Sequence, residues 1–159
     1  MRRPGALAAV LLALLCTACS APGASPAPAS TPDLAPFVGI WSRHGAGLTV
    51  VPDGSFSVEW RTYRLCGQDA PPCDQIVNNV ITDGGRAIGT MHAVGARAAA
   101  GQVSATNDAT FVPAGSFTAD VTDYQLLTLR FRAITLALCG KDFARLAPAQ
   151  VVHTQPCGA

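Results

Sequence analysis

Between Ser55 and Thr62 the chain reads SFSVEWRT, and its side chains alternate in character. Phe56, Val58, Trp60 and Thr62 fall on one face, Ser57, Glu59 and Arg61 on the other. Consecutive side chains of a strand point to opposite faces, so this period of two describes a strand with a core side and a solvent side. Val51-Pro52-Asp53-Gly54 stands close before it, with Pro52 presetting φ and Gly54 free to take φ > 0. The preceding GLTVV completes a hairpin. A second hairpin is as clear: Phe117, Ala119 and Val121 alternate with Thr118, Asp120 and Thr122. After a turn at Asp123-Tyr124, Leu127, Leu129 and Phe131 alternate with Thr128, Arg130 and Arg132. A third hairpin is expected from IVNNVIT and RAIGTMHAV joined at Asp83-Gly84-Gly85, with Gly89 and Asn78-Asn79 blurring its faces. No window sustains a 3.6-residue period with caps, and the best candidate helix is the Ala-rich AVGARAAAGQ, kept short by Gly95 and Gly101. The expected fold is all-β, with about seven to nine short strands in a small antiparallel barrel or sandwich. The alternative is a two-sheet β-sandwich with one short helix.

At 159 residues the chain holds one such domain and its processing segments. Arg2-Arg3 supply a positive start, Ala6 to Leu15 an apolar stretch, and Cys16-Thr17-Ala18-Cys19 follows at once. This layout resembles a bacterial lipoprotein signal, in which a small residue precedes a cysteine that is lipidated and becomes the mature N-terminus. Ala18-Cys19-Ser20 fits that pattern, and Cys16 stands where Leu is usual. Residues 1–18 are therefore expected to be a signal peptide and Cys19 the lipid attachment site, mooring the chain to the membrane outside the cytoplasm. Ordinary cleavage near Ala18 to Ala21, giving a secreted protein, is the alternative. A redox C-x-x-C would need a thiolate at the start of a folded helix, and cleavage would remove Cys16. Residues 19–36 are rich in Ala, Pro and Ser with a single charge, and cannot bury enough apolar surface to offset their ordering entropy. They read as a linker reaching roughly 50 Å if extended. Residues 37–159 form the domain.

Two of the six cysteines, Cys16 and Cys19, fall in the export and anchoring segment and four in the body, which fits an oxidising compartment. Cys66 and Cys73 flank the turn-rich GQDAPP, while Cys139 follows the strand AITLAL and Cys157 lies near the end. Local geometry favours Cys66–Cys73 and Cys139–Cys157, worth roughly 2.5 and 3 kcal/mol by loop entropy. A Cys66–Cys139 link would stabilise more in principle, about 4.4 kcal/mol. The spacer and the exported context disfavour zinc, so no metal site is expected. Without Arg2 and Arg3 the 11 basic residues become nine, against ten acidic ones. A body so close to neutral, with no basic stripe, leaves no nucleic-acid partner to expect.

The stretch FVGIWSRHGAGLTVVPDG, with Gly39, Trp41, His44-Gly45, Leu48, Val50 and Asp53-Gly54, resembles the opening of an actinobacterial family of exported proteins and lipoproteins of unknown function. Their late cysteines often close on Cys-Gly-Ala, as Cys157-Gly158-Ala159 does here. The resemblance implies compartment and architecture and carries no activity. Gly39-x-Trp41 also resembles the first strand of lipocalin-like barrels, which implies a calycin-like form of the barrel.

No G-x-S-x-G, H-E-x-x-H or P-loop occurs, and His44, His92 and His153 are widely spaced. His44 is expected to lock its turn through the backbone. Glu59, Arg61, Arg64, Arg130 and Arg132 sit on polar faces, where cross-strand pairs are expected; the sharper reading makes Arg130 and Arg132 an anion-binding surface. Nothing converges as catalytic residues or a cofactor site would, so neither an enzyme nor a cofactor is expected. Two readings of function stand. In one, a non-catalytic interaction or structural lipoprotein presents a surface to wall or protein partners at the envelope. In the other, a small hydrophobic ligand lies in a barrel cavity lined by Trp41, Phe56, Val58, Trp60, Leu129 and Phe131. The many Ala and Gly mean modest bulk in the first reading and room for a ligand in the second. Oligomeric state is left open.

Overall fold

The computed structural model describes residues 32–158. The expected signal peptide, Cys19 and the linker as far as Thr31 lie outside the described residues. A 3₁₀ turn at Ala35–Phe37 leads into β1 (Gly39–Arg43), β2 (Ala46–Val50) and β3 (Ser55–Trp60). A small separate ribbon follows, β4 (Gln75–Val77) with β5 (Val80–Thr82). The chain then runs through β6 (Gly85–Gly95), β7 (Ala98–Thr106), β8 (Gly115–Val121), β9 (Leu126–Arg130) and β10 (Thr135–Gly140), and ends in two short helices, α1 (Phe143–Leu146) and α2 (Ala149–His153). Eight strands close in the order β1-β10-β9-β8-β7-β6-β3-β2, every pair antiparallel. The fold is an all-β, up-and-down barrel rather than a sandwich, and closure removes the sheet edges that an open form would have to protect.

The two clear hairpins stand where alternation puts them. β2 pairs with β3 from Val50↔Phe56 to Ala46↔Trp60, around a turn in which the Asp53 carboxylate accepts the Ser55 N–H at 2.8 Å. Gly54 takes φ +85° there, and a Cβ on it would lie 2.2 Å from the Met91 carbonyl oxygen. β8 pairs with β9 around residues 122–125, with Leu127 opposite Val121. Two expectations are corrected. The Ala-rich stretch is no helix: β6 runs through Ala93 and Val94 to Gly95, and β7 begins at Ala98. Its apolar count reflects a barrel wall of small residues, which mimics helix propensity without the 3.6 period. IVNNVIT also does not pair with RAIGTMHAV; it folds on itself as β4–β5, while β6 joins β3 and β7.

The core occupies the barrel interior. Leu48, Val58, Leu127 and Leu138 are fully buried, with Phe37 and Val112 closing the ends. The Trp41 Nε1–H donates to the Phe37 carbonyl at 2.8 Å, tying the 3₁₀ turn across the barrel mouth. The large rings meet a wall of small residues. A Cβ on Gly85 would lie 2.1 Å from Trp60 Nε1, one on Gly89 2.6 Å from the Phe56 ring, and one on Gly101 2.3 Å from the Phe117 ring. Phe56 meets Phe117 edge-on at 5.5 Å, and Phe117 meets Phe131 at 5.4 Å. Trp60 stacks on Phe111 at 4.9 Å.

Both expected disulfides are formed, Cys66–Cys73 and Cys139–Cys157, with Cα separations of 5.1 and 5.9 Å. The second brings the tail to the barrel, where the Cys157 carbonyl accepts the His44 N–H at 2.7 Å and Phe143 of α1 is buried.

Candidate functional site

Trp41, Phe56, Val58, Trp60, Leu129 and Phe131 all belong to one hydrophobic core and are buried against neighbouring side chains. The space left by Gly85, Gly89 and Gly101 is taken up by rings of the same chain. The larger depressions are open and lie outside the interior. One of about 790 Å³ borders β1 at the barrel rim and touches Trp41. One of about 940 Å³ crosses the outer face of β6 to β9, where His92, Arg130 and Arg132 come together. Arg130 is engaged there by Asp120, and Glu59 stands opposite Arg86 in the β3–β6 ladder. Among the described residues no group of His, Cys, Asp and Glu is placed to hold a metal ion.

The feature that sets this barrel apart is the connection from β3 to β6, residues 61–84. The other links between sequential barrel strands run two to eight residues. A long connection on a closed barrel adds nothing to the ladder, and long loops on rigid scaffolds are where function concentrates. Its two ends are tied by one side chain. Asp74, 2% exposed, accepts through Oδ1 from the Thr62 N–H at 2.8 Å, the Thr62 hydroxyl at 2.9 Å and the Gly84 N–H at 2.9 Å. Its Oδ2 accepts the Tyr63 N–H at 2.9 Å. Burial pushes this carboxyl up and the four donors pull it down; the donors win, and its pKa lies below the ordinary carboxylate value. The Cys66–Cys73 bridge sits beside the clamp, where the Cys66 N–H reaches the Asp74 carbonyl at 2.9 Å. Gly84 must be Gly, since a Cβ would lie 2.0 Å from the Cys73 carbonyl oxygen.

From this base the β4–β5 ribbon projects. Asn78 and Asn79 take φ +52° and +64°, the two left-handed positions of a type I′ turn, whose twist suits a two-residue hairpin. Ile76 pairs with Ile81 and Val77 with Val80. All four are exposed, at 59%, 40%, 49% and 64% in that order. Neither outer edge of the ribbon pairs with a barrel strand.

At the foot of the connection is a cleft of about 590 Å³ lined by His44, Gly45, Ala46, Arg61, Tyr63 and Asp83. The Arg61 Nε and Asp83 Oδ1 are 3.5 Å apart. Tyr63, Asp74, Asp83 and the four aliphatics were not legible as site residues. The signal for the ribbon was present in V-N-N-V, since Asn tolerates positive φ between β-branched residues. The Asp74 clamp joins residues distant in sequence and left no local mark. No known protein family, curated protein or solved structure matches the chain.

Proposed function

We propose that the chain is a non-catalytic interaction module of the cell envelope, moored to the membrane by a lipid on Cys19, and that it meets its partner through the β4–β5 ribbon. The observation that carries this reading is the set of four exposed branched aliphatics on a clamped two-stranded arm. Such a ribbon is marginal by itself in water, and this one has both a disulfide and a buried carboxylate at its base. Natural proteins blunt exposed strand edges with charges or proline, yet Gln75 to Thr82 contain neither. Exposed aliphatic pairs on both faces, Ile76 with Ile81 and Val77 with Val80, flank unpaired edges and fit an uncharged, apolar protein segment that adds a strand to the ribbon and covers its faces. The ligand-carrier reading has less support, because rings of the chain itself fill the places that glycines leave open in the barrel.

Photo-crosslinking in the producing cells tests the reading. A photoreactive residue at Val80 is expected to give a discrete product with one envelope protein, and one at Ser116, exposed on β8, none. Ile76→Thr/Ile81→Thr, which keeps β propensity, is expected to abolish the Val80 product. Equal products from both positions, or a Val80 product indifferent to the double substitution, would overturn it.

A further inference from the structure

The cleft beneath the ribbon carries a chemistry of its own. Tyr63 is 67% exposed and holds φ +58°, a left-handed backbone that is an outlier for a bulky residue. Strain of this kind persists only where the surroundings impose it, and here Asp74 Oδ2 fixes the Tyr63 N–H. The backbone is thereby fixed at the base of an aromatic side chain that is largely open to solvent. Its hydroxyl fits against Gly45, where a Cβ would lie 2.5 Å from the Tyr63 oxygen. The Arg61 N–H donates to the Gly45 carbonyl at 2.8 Å, joining the same turn to the start of the connection. Beside the ring stands the partly exposed Arg61–Asp83 pair.

These groups select by exclusion. An anion would meet Asp83 and a cation Arg61. An apolar ligand would strip water from an ion pair and return nothing for it. A neutral polyhydroxylated ring matches all three features. Each hydroxyl both donates and accepts, so vicinal hydroxyls serve the acceptor-only carboxylate and the donor-only guanidinium together. The ring's polarised C–H face complements the negative face of the phenol. The volume lies within the range of small-ligand sites. We propose that this cleft binds a saccharide unit, with Tyr63 as the platform and Arg61 and Asp83 as the hydroxyl partners. The proposal rests on the reading of the β3–β6 connection as the contact region, and gives it a glycan as a second class of partner.

An NMR titration of the full chain tests it, with tetrasaccharides of glucose, galactose, mannose and N-acetylglucosamine as probes, and inorganic phosphate and choline as anion and cation. At least one saccharide is expected to shift the amide resonances of residues 44–46, 61–63 and 83 with a dissociation constant below about 10 mM, and neither ion is expected to do so. Tyr63→Ala and Asp83→Asn should each weaken that binding about tenfold, and Tyr63→Phe should keep it within about threefold. Ile76→Thr/Ile81→Thr should leave saccharide affinity unchanged while removing the Val80 cross-link, so the two readings fail separately. The proposal is overturned if no saccharide moves these resonances, if an ion moves them instead, or if Tyr63→Ala and Asp83→Asn bind as the parent does.

Discussion

Gly101 on β7 and Gly47 on β2 belong to one barrel and make opposite demands. A Cβ on Gly101 would meet the Phe117 ring at 2.3 Å and the Thr90 carbonyl oxygen at 2.6 Å, whereas one on Gly47 has nothing within 4 Å. Gly101→Ala should therefore destabilise the fold by about 2 kcal/mol, and Gly47→Ala should change it by under about 0.5 kcal/mol, as urea unfolding will report. Equal tolerance of the two would mean that the interior has slack the account denies. Asp74 makes the second prediction at this scale. Its pKa is lowered in the folded protein, so its carboxylate contributes full stability above the unfolded value near 3.8, and that contribution is lost as pH falls through the lower folded value. The melting temperature should be flat above about pH 5 and fall below about pH 4. Asp53, lowered by the Ser55 N–H, and Asp108, lowered by the Thr110 hydroxyl, share that acid step. Asp74→Asn turns an N–H₂ toward backbone donors, so it should cost about 2 kcal/mol at neutral pH and shrink the step.

The elements were legible where a local signal fixed them. SFSVEW and the FTADV…LLTLR pair alternate cleanly around turn residues, and both form the strands that pattern requires. The β6–β7 hairpin leaves no strand signal, because Ala99, Ala100 and Gly101 are not β-branched; the smallness of Gly101 answers to the Phe117 ring on β8, which a local window cannot see. The disulfides were legible because spacing and turn content bring their ends together, as the Cα distances show. The Cys66–Cys73 bridge lies in the β3–β6 connection and outside the barrel ladder. Its loss through Cys66→Ser/Cys73→Ser should therefore speed amide exchange in residues 61–84 and leave β7 to β9 protected. Uniform loss of protection through the barrel would contradict this.

For the molecule as a whole, closure is what the sequence hid. It depends on β1 meeting β10 through Trp41↔Gly140 and Ser42↔Cys139, residues at opposite ends of the domain, and no periodicity reports such a pairing. The same gap hid the candidate site, since His44-Gly45, Arg61, Tyr63 and Asp83 converge only once the barrel brings two connections to the same end. The barrel interior is filled by its own side chains, and the β4–β5 ribbon of the β3–β6 connection lies outside that core. The direct test replaces residues 75–82 with a two-residue Asn-Gly turn and measures thermal unfolding by scanning calorimetry. A single transition within about 5 °C of the parent is expected, because the excised aliphatics are exposed and lie outside the core. A drop beyond about 15 °C, or loss of the cooperative transition, would make the ribbon a structural part of the barrel and contradict the account.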